Sequence, residues 1–316
     1  MTHTILKNIK GKKYLYAEYS FRLPDSSIKK VSVRVNNKSQ LDSGEVKSIF
    51  RQKEIEISQK WAVEKYKTDS IFTKERICEF EVMRVGFKQI KNKLTNAQFE
   101  DLLKRFTANF TYETNALEGN SLTLKDVTLL LFEGIVPNNK QLREINETKN
   151  AQDAHKLLFE GKLRVNIDET LRIHKIVVRN MDISNGWKKL PNFLMMRNVK
   201  TTAPENVESD MTKLFKSYLE VKKDWHPLKI AAHIHAKFEK IHPFEDGNGR
   251  VGRILLNAIL IDAGYPPLII RKTMRQKYFG ALEASDDGHY EYIERFLIEK
   301  FRDTYKKFFE VYLKYI

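Results

Sequence analysis

From about residue 44 to the C-terminus, apolar residues recur every three or four positions, a period that commits most of the chain to helices. "NAQFEDLLKRFTANFTYETNALEGN" is the clearest case: Phe99, Leu102, Leu103, Phe106 and Phe110 form one apolar stripe. The period continues through "SLTLKDVTLLLFEG", "LREINETKNAQDAHKLLFEG" and "DETLRIHKIVVRNM", each bounded by Gly, Asn or Pro, and resumes in "HPLKIAAHIHAKFEKI", "RVGRILLNAILIDAG" and "HYEYIERFLIEKFRDTYKKFF". Residues 186–205 break it with a short strand-like stretch between prolines, read as an ordered loop or small hairpin. Only residues 13–36 alternate apolar and polar side chains strongly, around a Pro-Asp-Ser-Ser turn, which predicts one β-hairpin. The expected fold is mainly α, a helical bundle with a small N-terminal β-hairpin and helix module.

The 316 residues suffice for two modest domains, or for one larger domain with an appendage. With 41% hydrophobic residues, 13 Gly and 8 Pro, most of the chain should fold. The net charge of +15 concentrates early, since residues 1–105 hold 23 Lys and Arg against 13 Asp and Glu. A solvated basic face is the plain reading, and a partner-binding surface is the alternative. Cys78 is the only cysteine, which excludes an intrachain disulfide and predicts a buried structural thiol. The N-terminus lacks the apolar core of a signal peptide, and no run reaches the ~20 apolar residues of a membrane span, so a cytoplasmic protein without membrane contact is expected.

"IHPFEDGNGRVGRILL", residues 241–256, carries the chemistry. A core helix delivers His242 at its end, Pro243 prevents regular continuation, and a glycine-rich turn leads into the next helix near Arg250. Such a turn presents free backbone N–H groups and a positive dipole end, which suits an anion. Arg250 and Arg253 share a helix face close to that positive end, an unfavourable placement unless an anion offsets them. Asp246 can ligate Mg²⁺ beside bound phosphates, and His242 can take a proton near neutral pH. "GNGRVGR" is neither a P-loop, lacking Lys-Ser/Thr, nor a dinucleotide fingerprint, since it follows a helix. His233 and His235 are two apart on a helix and read as structural or outer contacts rather than zinc ligands.

"HPFEDGNGRVGR" resembles the active-site loop of Fic-domain proteins (the Fic/DOC superfamily), His-Pro-Phe-x-Asp/Glu-Gly-Asn-Gly-Arg-x-x-Arg, at every fixed position. The likeness extends over roughly residues 95–300. It implies a Fic-type helical bundle with a β-hairpin flap that transfers AMP from ATP to a Ser, Thr or Tyr hydroxyl of a protein. By position it implies His242 as the base, Asp246 as the ligand of Mg²⁺ (or Mn²⁺), and Gly247, Asn248, Gly249 and Gly252 around the phosphates. Arg250 and Arg253 would hold the β- and γ-phosphates. Gly249 favours AMP transfer, because relatives resembling Doc carry Lys there and transfer phosphate. Tyr278 and Phe279 match positions beside the adenine, and Asp286 stands where the family's usual Asn of that pocket would be. The flap would span residues 191–203, with Arg197, Asn198 and Val199 as weak candidates because Gly186-Trp187-Lys188-Lys189 departs from the family's Gly-x-aromatic-Arg.

"TNALEGN", residues 114–120, resembles the family's inhibitory signature, Ser/Thr-x-x-x-Glu-Gly/Asn. Read alone, Gly119-Asn120 ends a helix and Glu118 is an acid facing the negative dipole end, unfavourably. The resemblance supplies Arg253 as its partner and implies a class inhibited in cis by an N-terminal helix, here about 97–118. The expected domains are 1–95, a hairpin plus helices of unknown role; 96–300, the Fic core with loop 242–253; and 301–316, a helical tail. Members of this class often form homodimers and modify themselves. The alternatives are an enzyme that removes AMP, or does both, with Glu118 positioning water, and a nucleic-acid-binding regulator suggested by the charge. Nucleic acid is the lesser alternative, since no winged-helix segment follows the core.

Overall fold

Lys10 and Gly11 both take positive φ, 51° and 76°, the geometry of a two-residue hairpin turn, and fold Thr2–Ile9 (β1) back onto Lys12–Arg22 (β2). Ile28–Arg34 (β3) pairs with the other edge of β2, so the antiparallel sheet runs β1-β2-β3. The structure, a computed structural model, describes residues 2–161, 163–194 and 199–315. The β2–β3 hairpin falls within the expected 13–36 window, but β1 corrects the expectation of a single hairpin. Its segment "THTILKNI" leaves Leu6 and Ile9 exposed, so the alternation that marks a half-buried strand is faint there.

Helices follow as α1 Gly44–Lys65, α2 Lys74–Lys93, α3 Asn96–Leu117, α4 Leu124–Phe132, α5 Leu142–Phe159, α6 Ile167–Val177, α7 Val207–Val221, α8 Pro227–Ile241, α9 Asn248–Asp262, α10 Arg275–Asp286 and α11 Glu291–Thr304. The chain divides into two compact units, residues 1–85 and 86–316. In the first, one sheet face buries Ala17, Phe21 and Val31 against Val46 and Phe50 of α1. Each large side chain so buried contributes about 1.5–3 kcal/mol. Cys78 is partly exposed rather than buried, because α2 turns Ile77 and Phe80 inward and leaves the thiol on its flank. No helix of the described residues is long and apolar enough to cross a membrane.

In the second unit α9 is the central helix. Every residue from Arg250 to Leu260 is buried, so it is apolar nearly all round, as a helix enclosed on every side must be. The buried amide midway along it, Asn257, is satisfied by exchanging hydrogen bonds with the backbone of Leu268, at 2.8 and 3.0 Å. α8 packs antiparallel along it, and Gly252 permits that approach: a methyl there would lie 2.6 Å from Glu239 Oε1 and 3.0 Å from Phe238. α3, α5 and α6 close the other sides, and α10 and α11 pack on α8. Beyond α11 the chain widens through a π-helical turn, Tyr305–Phe309, which sets Phe308 and Phe309 against Phe106 of α3.

His155 of α5 is fully buried, stacks on Phe110 at 4.3 Å, and lies 3.1 Å from Thr111 Oγ1. Burial pushes its imidazole down to about 3. The unfolded chain binds this proton near pH 6.5 and the folded chain does not, so the stability it contributes is intact above 6.5 and lost as pH falls toward 3. Urea midpoints should therefore decline below pH 6.5, by up to about 1.4 kcal/mol per pH unit for this one group. His155→Phe should flatten the decline, and a wild-type profile already flat between pH 6.5 and 4.5 refutes the account.

Candidate active site

His242 ends α8 in the left-handed region, φ 50° and ψ 62°. Pro243 disfavours the right-handed helical conformation for the residue before it, so the helix must stop at His242. A non-glycine residue there is uncommon and is held by its surroundings. Its N–H still donates to Phe238 O at 2.9 Å, and the residue is partly exposed, with ring nitrogen Nδ1 buried. Asn248 ties that loop shut: its Oδ1 accepts from Phe244 N–H and its Nδ2 donates to Phe244 O, at 2.8 and 2.9 Å. The Asn248 side chain therefore braces the turn rather than facing outward.

Gly247 caps α9 with φ 83°, where a methyl would crowd Val178 at 3.3 Å, and α9 begins at Asn248, slightly earlier than expected. Gly249 has a sharper function. A methyl on it would lie 2.2 Å from Glu118 Oε1 and 2.8 Å from Arg253 Nη1, so the first turn of α9 already holds a carboxylate. That carboxylate comes from the C-cap of α3, where Gly119, at φ 100°, turns the chain away. Arg253 Nη2 donates to Glu118 Oε1 at 2.6 Å and to Thr114 O at 2.9 Å, while its Nε donates to Thr114 Oγ1 at 2.6 Å. The negative end of α3 thus meets the positive end of α9 through one fully buried guanidinium. Burial alone would lower that guanidinium's proton affinity, but the Glu118 carboxylate outweighs burial and raises it.

On the other side of the turn the charges form a closed ring. Asp246 pairs with Arg143 of α5 and, at 3.2 Å, with Arg250. Glu147 pairs with the same two arginines, at 3.2 Å to Arg143 and 3.4 Å to Arg250. Burial would raise the Asp246 carboxyl, but Arg250, the Gly247 N–H and Arg143 hold it below the ordinary carboxylate range. Arg250 is 2% exposed, and among the described residues its Nε has no hydrogen-bond acceptor. A buried guanidinium N–H left over in this way is an opening for an anionic ligand. His174 of α6 supports the ring from beneath. It stacks on Phe244 at 3.8 Å and its Nε2 meets Asp246 O at 3.1 Å; facing a carbonyl, that nitrogen must carry the proton. Burial pushes this imidazole down to about 4, so near neutral pH the ring carries a single proton, the one on Nε2.

Of the other sequence candidates, Tyr278 is fully buried and meets His235 Nε2 through its hydroxyl at 2.6 Å, while Phe279 beside it is partly exposed under Arg275. His233 meets Glu294 at 2.8 Å and stacks on Tyr290, so both histidines serve packing, and no cluster of three or more metal-ligating side chains exists among the described residues. The flap segment is closed by one antiparallel bridge, Phe193 to Lys200. Val199 follows within it, half-buried, whereas Arg197 and Asn198 lie outside the described residues.

Sequence reasoning missed Arg143, Glu147, His174 and Lys188. The spacing of Arg143 and Glu147, four apart on a helix, was their only local signal. Lys188 is 5% exposed, donating through Nζ to Asn192 Oδ1 at 2.7 Å, Thr201 Oγ1 at 3.1 Å and Ile241 O at 3.4 Å, and burial pushes its ammonium down to about 8. Its own N–H donates to Pro243 O, and Asn192 Nδ2 to Phe244 O, both at 2.8 Å, so one lysine ties the base of the flap to both sides of His242. Lys188→Met removes one donor from all three groups; Thr201 Oγ1 and Asn192 Oδ1 keep their 3.0 Å bond to each other, so the main cost falls on the Ile241 carbonyl, about 1–3 kcal/mol. Hydrogen exchange should accelerate at residues 189–203 and 241–244 in that variant and much less in Lys188→Arg, whose donors can reach the same acceptors. Unchanged exchange in Lys188→Met would show that the lysine is incidental.

These residues surround a turn already matched by known proteins. The model of the Fic/DOC family matches residues 164–260. A protein adenylyltransferase Fic from Drosophila persimilis is 32% identical over 202 residues, 61% of this chain and 40% of the relative. Another from Nematostella vectensis is 33% identical over 193 residues, 59% of this chain and 45% of the relative. The chain thus spans less than half the length of these curated relatives. Among solved structures, a Fic domain-containing signaling protein from Bacteroides thetaiotaomicron superposes with a TM-score of 0.63 at 25% identity, covering 70% of this chain and 94% of that one. Fic-1 from C. elegans shares the fold with a TM-score of 0.62 at 22% identity, covering 85% of this chain and 77% of that one. The loop at 242–253, with α6 to α8 and the start of α9, lies inside the segment that the Fic/DOC family model matches, and the chain shares its fold with solved Fic-domain proteins.

Proposed function

We propose that the chain is a protein adenylyltransferase that moves AMP from ATP to a hydroxyl side chain of a protein, its own included, and that Glu118 holds this activity in check. The observation that carries the reading is the Glu118 carboxylate lodged against Gly249 and bonded to Arg253 at 2.6 Å, an anion of the chain's own in the anion-binding turn. In the active state that turn receives the ATP polyphosphate tail, with Arg253 and the spare Nε of Arg250 as donors. His242 takes the proton of the attacking hydroxyl; its oxygen bonds to the α-phosphorus, and the bond to the bridging oxygen breaks to release pyrophosphate.

Asp246 fits a metal that arrives with the nucleotide. Of the turn's two carboxylates, Glu245 accepts from Ser184 N–H and takes no part in the charge ring, whereas the Asp246 side chain is 35% exposed, enough for a hard cation that brings phosphate oxygens of its own, but not for an all-protein cage. When bound, Mg²⁺ would neutralise charge developing on the phosphates. Until then Arg143 and Arg250 balance the Asp246 charge, and His174 fixes the backbone of Asp246 so that the carboxylate keeps its place. The test is incorporation of label from α-labelled and γ-labelled ATP, with intact mass of the product. The reading requires an adduct of AMP mass that appears only from the α-labelled nucleotide; label from the γ position would overturn it. Removal of AMP by wild-type protein from a modified target would instead assign Glu118 the alignment of water.

A further inference from the structure

Between α7 and α8, next to the turn, lies a groove of about 480 Å³ that the charge ring and the nucleotide reading do not use. Asp210, Lys213, Leu214 and Ser217 line it from α7 at helical spacing, and Lys237, Lys240 and Ile241 line it from α8 at i, i+3 and i+4. Lys200, Thr201 and Thr202, at the returning end of the flap, form the third wall. Four lysines face one acid, and that acid is spent: Asp210 accepts from Lys213 at 3.0 Å and from Thr202 at 3.1 Å. Lys240 reaches only a backbone carbonyl, Asp286 O at 2.7 Å, and among the described residues neither Lys200 nor Lys237 meets a carboxylate. Like charges three apart on α8 repel, and a third converging on them adds to the cost, so the groove is arranged for an anion it does not itself contain.

The geometry points to this groove as the docking site for an acidic segment of the protein substrate, adjoining the hydroxyl that is modified. Ile241 forms one end of the groove and His242 is the next residue, so a chain whose hydroxyl lies at His242 enters the groove within a few residues, at ~3.3 Å per residue extended. The leucine and isoleucine in the walls fit the apolar stems of Glu side chains, and the hydroxyl oxygens of Thr202 and Ser217, whose protons go to Asp210 and Leu214 O, can accept from the segment's main-chain N–H groups. A folded partner needs a broad complementary face, whereas a groove of this size takes a strand of acidic peptide. This inference rests on the transferase reading only in making His242 the point from which the substrate runs.

The experiment measures binding without catalysis. Fluorescein-labelled, threonine-centred peptides carry three Glu on the N-terminal side, three on the C-terminal side, or Gln at all those positions. Anisotropy with the full wild-type chain should show one Glu peptide binding at least fivefold tighter than the Gln peptide, with the difference shrinking as salt rises. The double reversal Lys200→Glu with Lys237→Glu should abolish that difference; should it unfold, Lys200→Gln with Lys237→Gln takes its place. Equal binding of all peptides, or a preference that survives the reversal, overturns the proposal. So does a single-stranded oligonucleotide that binds tighter than either Glu peptide and is lost on the same reversal, which would assign the groove to nucleic acid. In the Glu118→Gly protein the two readings separate. If AMP reaches no substrate while the Glu peptide still binds, the transferase reading fails alone. If AMP transfer proceeds with no charge preference, the groove fails alone.

Discussion

Glu118→Gly should raise AMP incorporation from α-labelled ATP by on the order of 30-fold or more. The wild-type turn must give up a charge-assisted pair before it can accept a phosphate, and such bonds contribute about 1.5–3 kcal/mol, with each 1.4 kcal/mol a factor of ten. The same substitution should make the free protein less stable. Arg253 is buried, and removing its closest carboxylate leaves a guanidinium held by Thr114 and the Tyr278 hydroxyl, with Glu239 the remaining nearby acid. Thermal unfolding of Glu118→Gly should therefore begin below wild type, and ATP should raise its midpoint by more than it raises the wild-type midpoint. This pairing of gained activity with lost stability separates a brake from a surface acid, whose removal would change neither. A variant as stable as wild type, with no gain in labelling and no larger response to ATP, would end the inhibitory reading of this contact.

Why Glu118 could be read from the sequence and its neighbours could not is a matter of distance along the chain. The 242–253 loop declares itself locally: proline stops one helix, glycines start the next, and two arginines sit where a dipole disfavours them. Each of those signals fits within a dozen residues. Glu118 lies 135 positions from Arg253, and only the resemblance joined them. Arg143 and Asp246 are 103 apart, His174 and Asp246 72 apart, and Lys188 and Ile241 53 apart, with no periodicity to link them. The bundle follows the same rule. Helices with an apolar stripe, such as α3, were legible, whereas β1 was not, since its side chains bury too little to leave an alternation. Cys78 illustrates the opposite error: its segment is helical with apolar Ile77 and Phe80 close by, yet its position on α2 leaves it partly exposed.

His242→Ala, made in the Glu118→Gly background, should lower AMP incorporation by at least ~100-fold, the smallest contribution expected of a positioned general base. The control matters as much as the loss. His242 occupies left-handed backbone that asparagine adopts more readily than alanine, so His242→Asn keeps the loop geometry while removing a base of useful strength. Both variants should bind ATP as the parent does, because the phosphate donors sit on α9 and are held by the Asn248 brace and the α3 contact rather than by the imidazole. The pH profile carries the sharper distinction. If His242 acts as a base, incorporation by the parent should rise with pH along one limb, and both variants should lose that limb along with the rate. A His242→Asn enzyme that kept the limb and most of its activity would show that the proton leaves by another route, and the 242–247 loop would then be a binding element only.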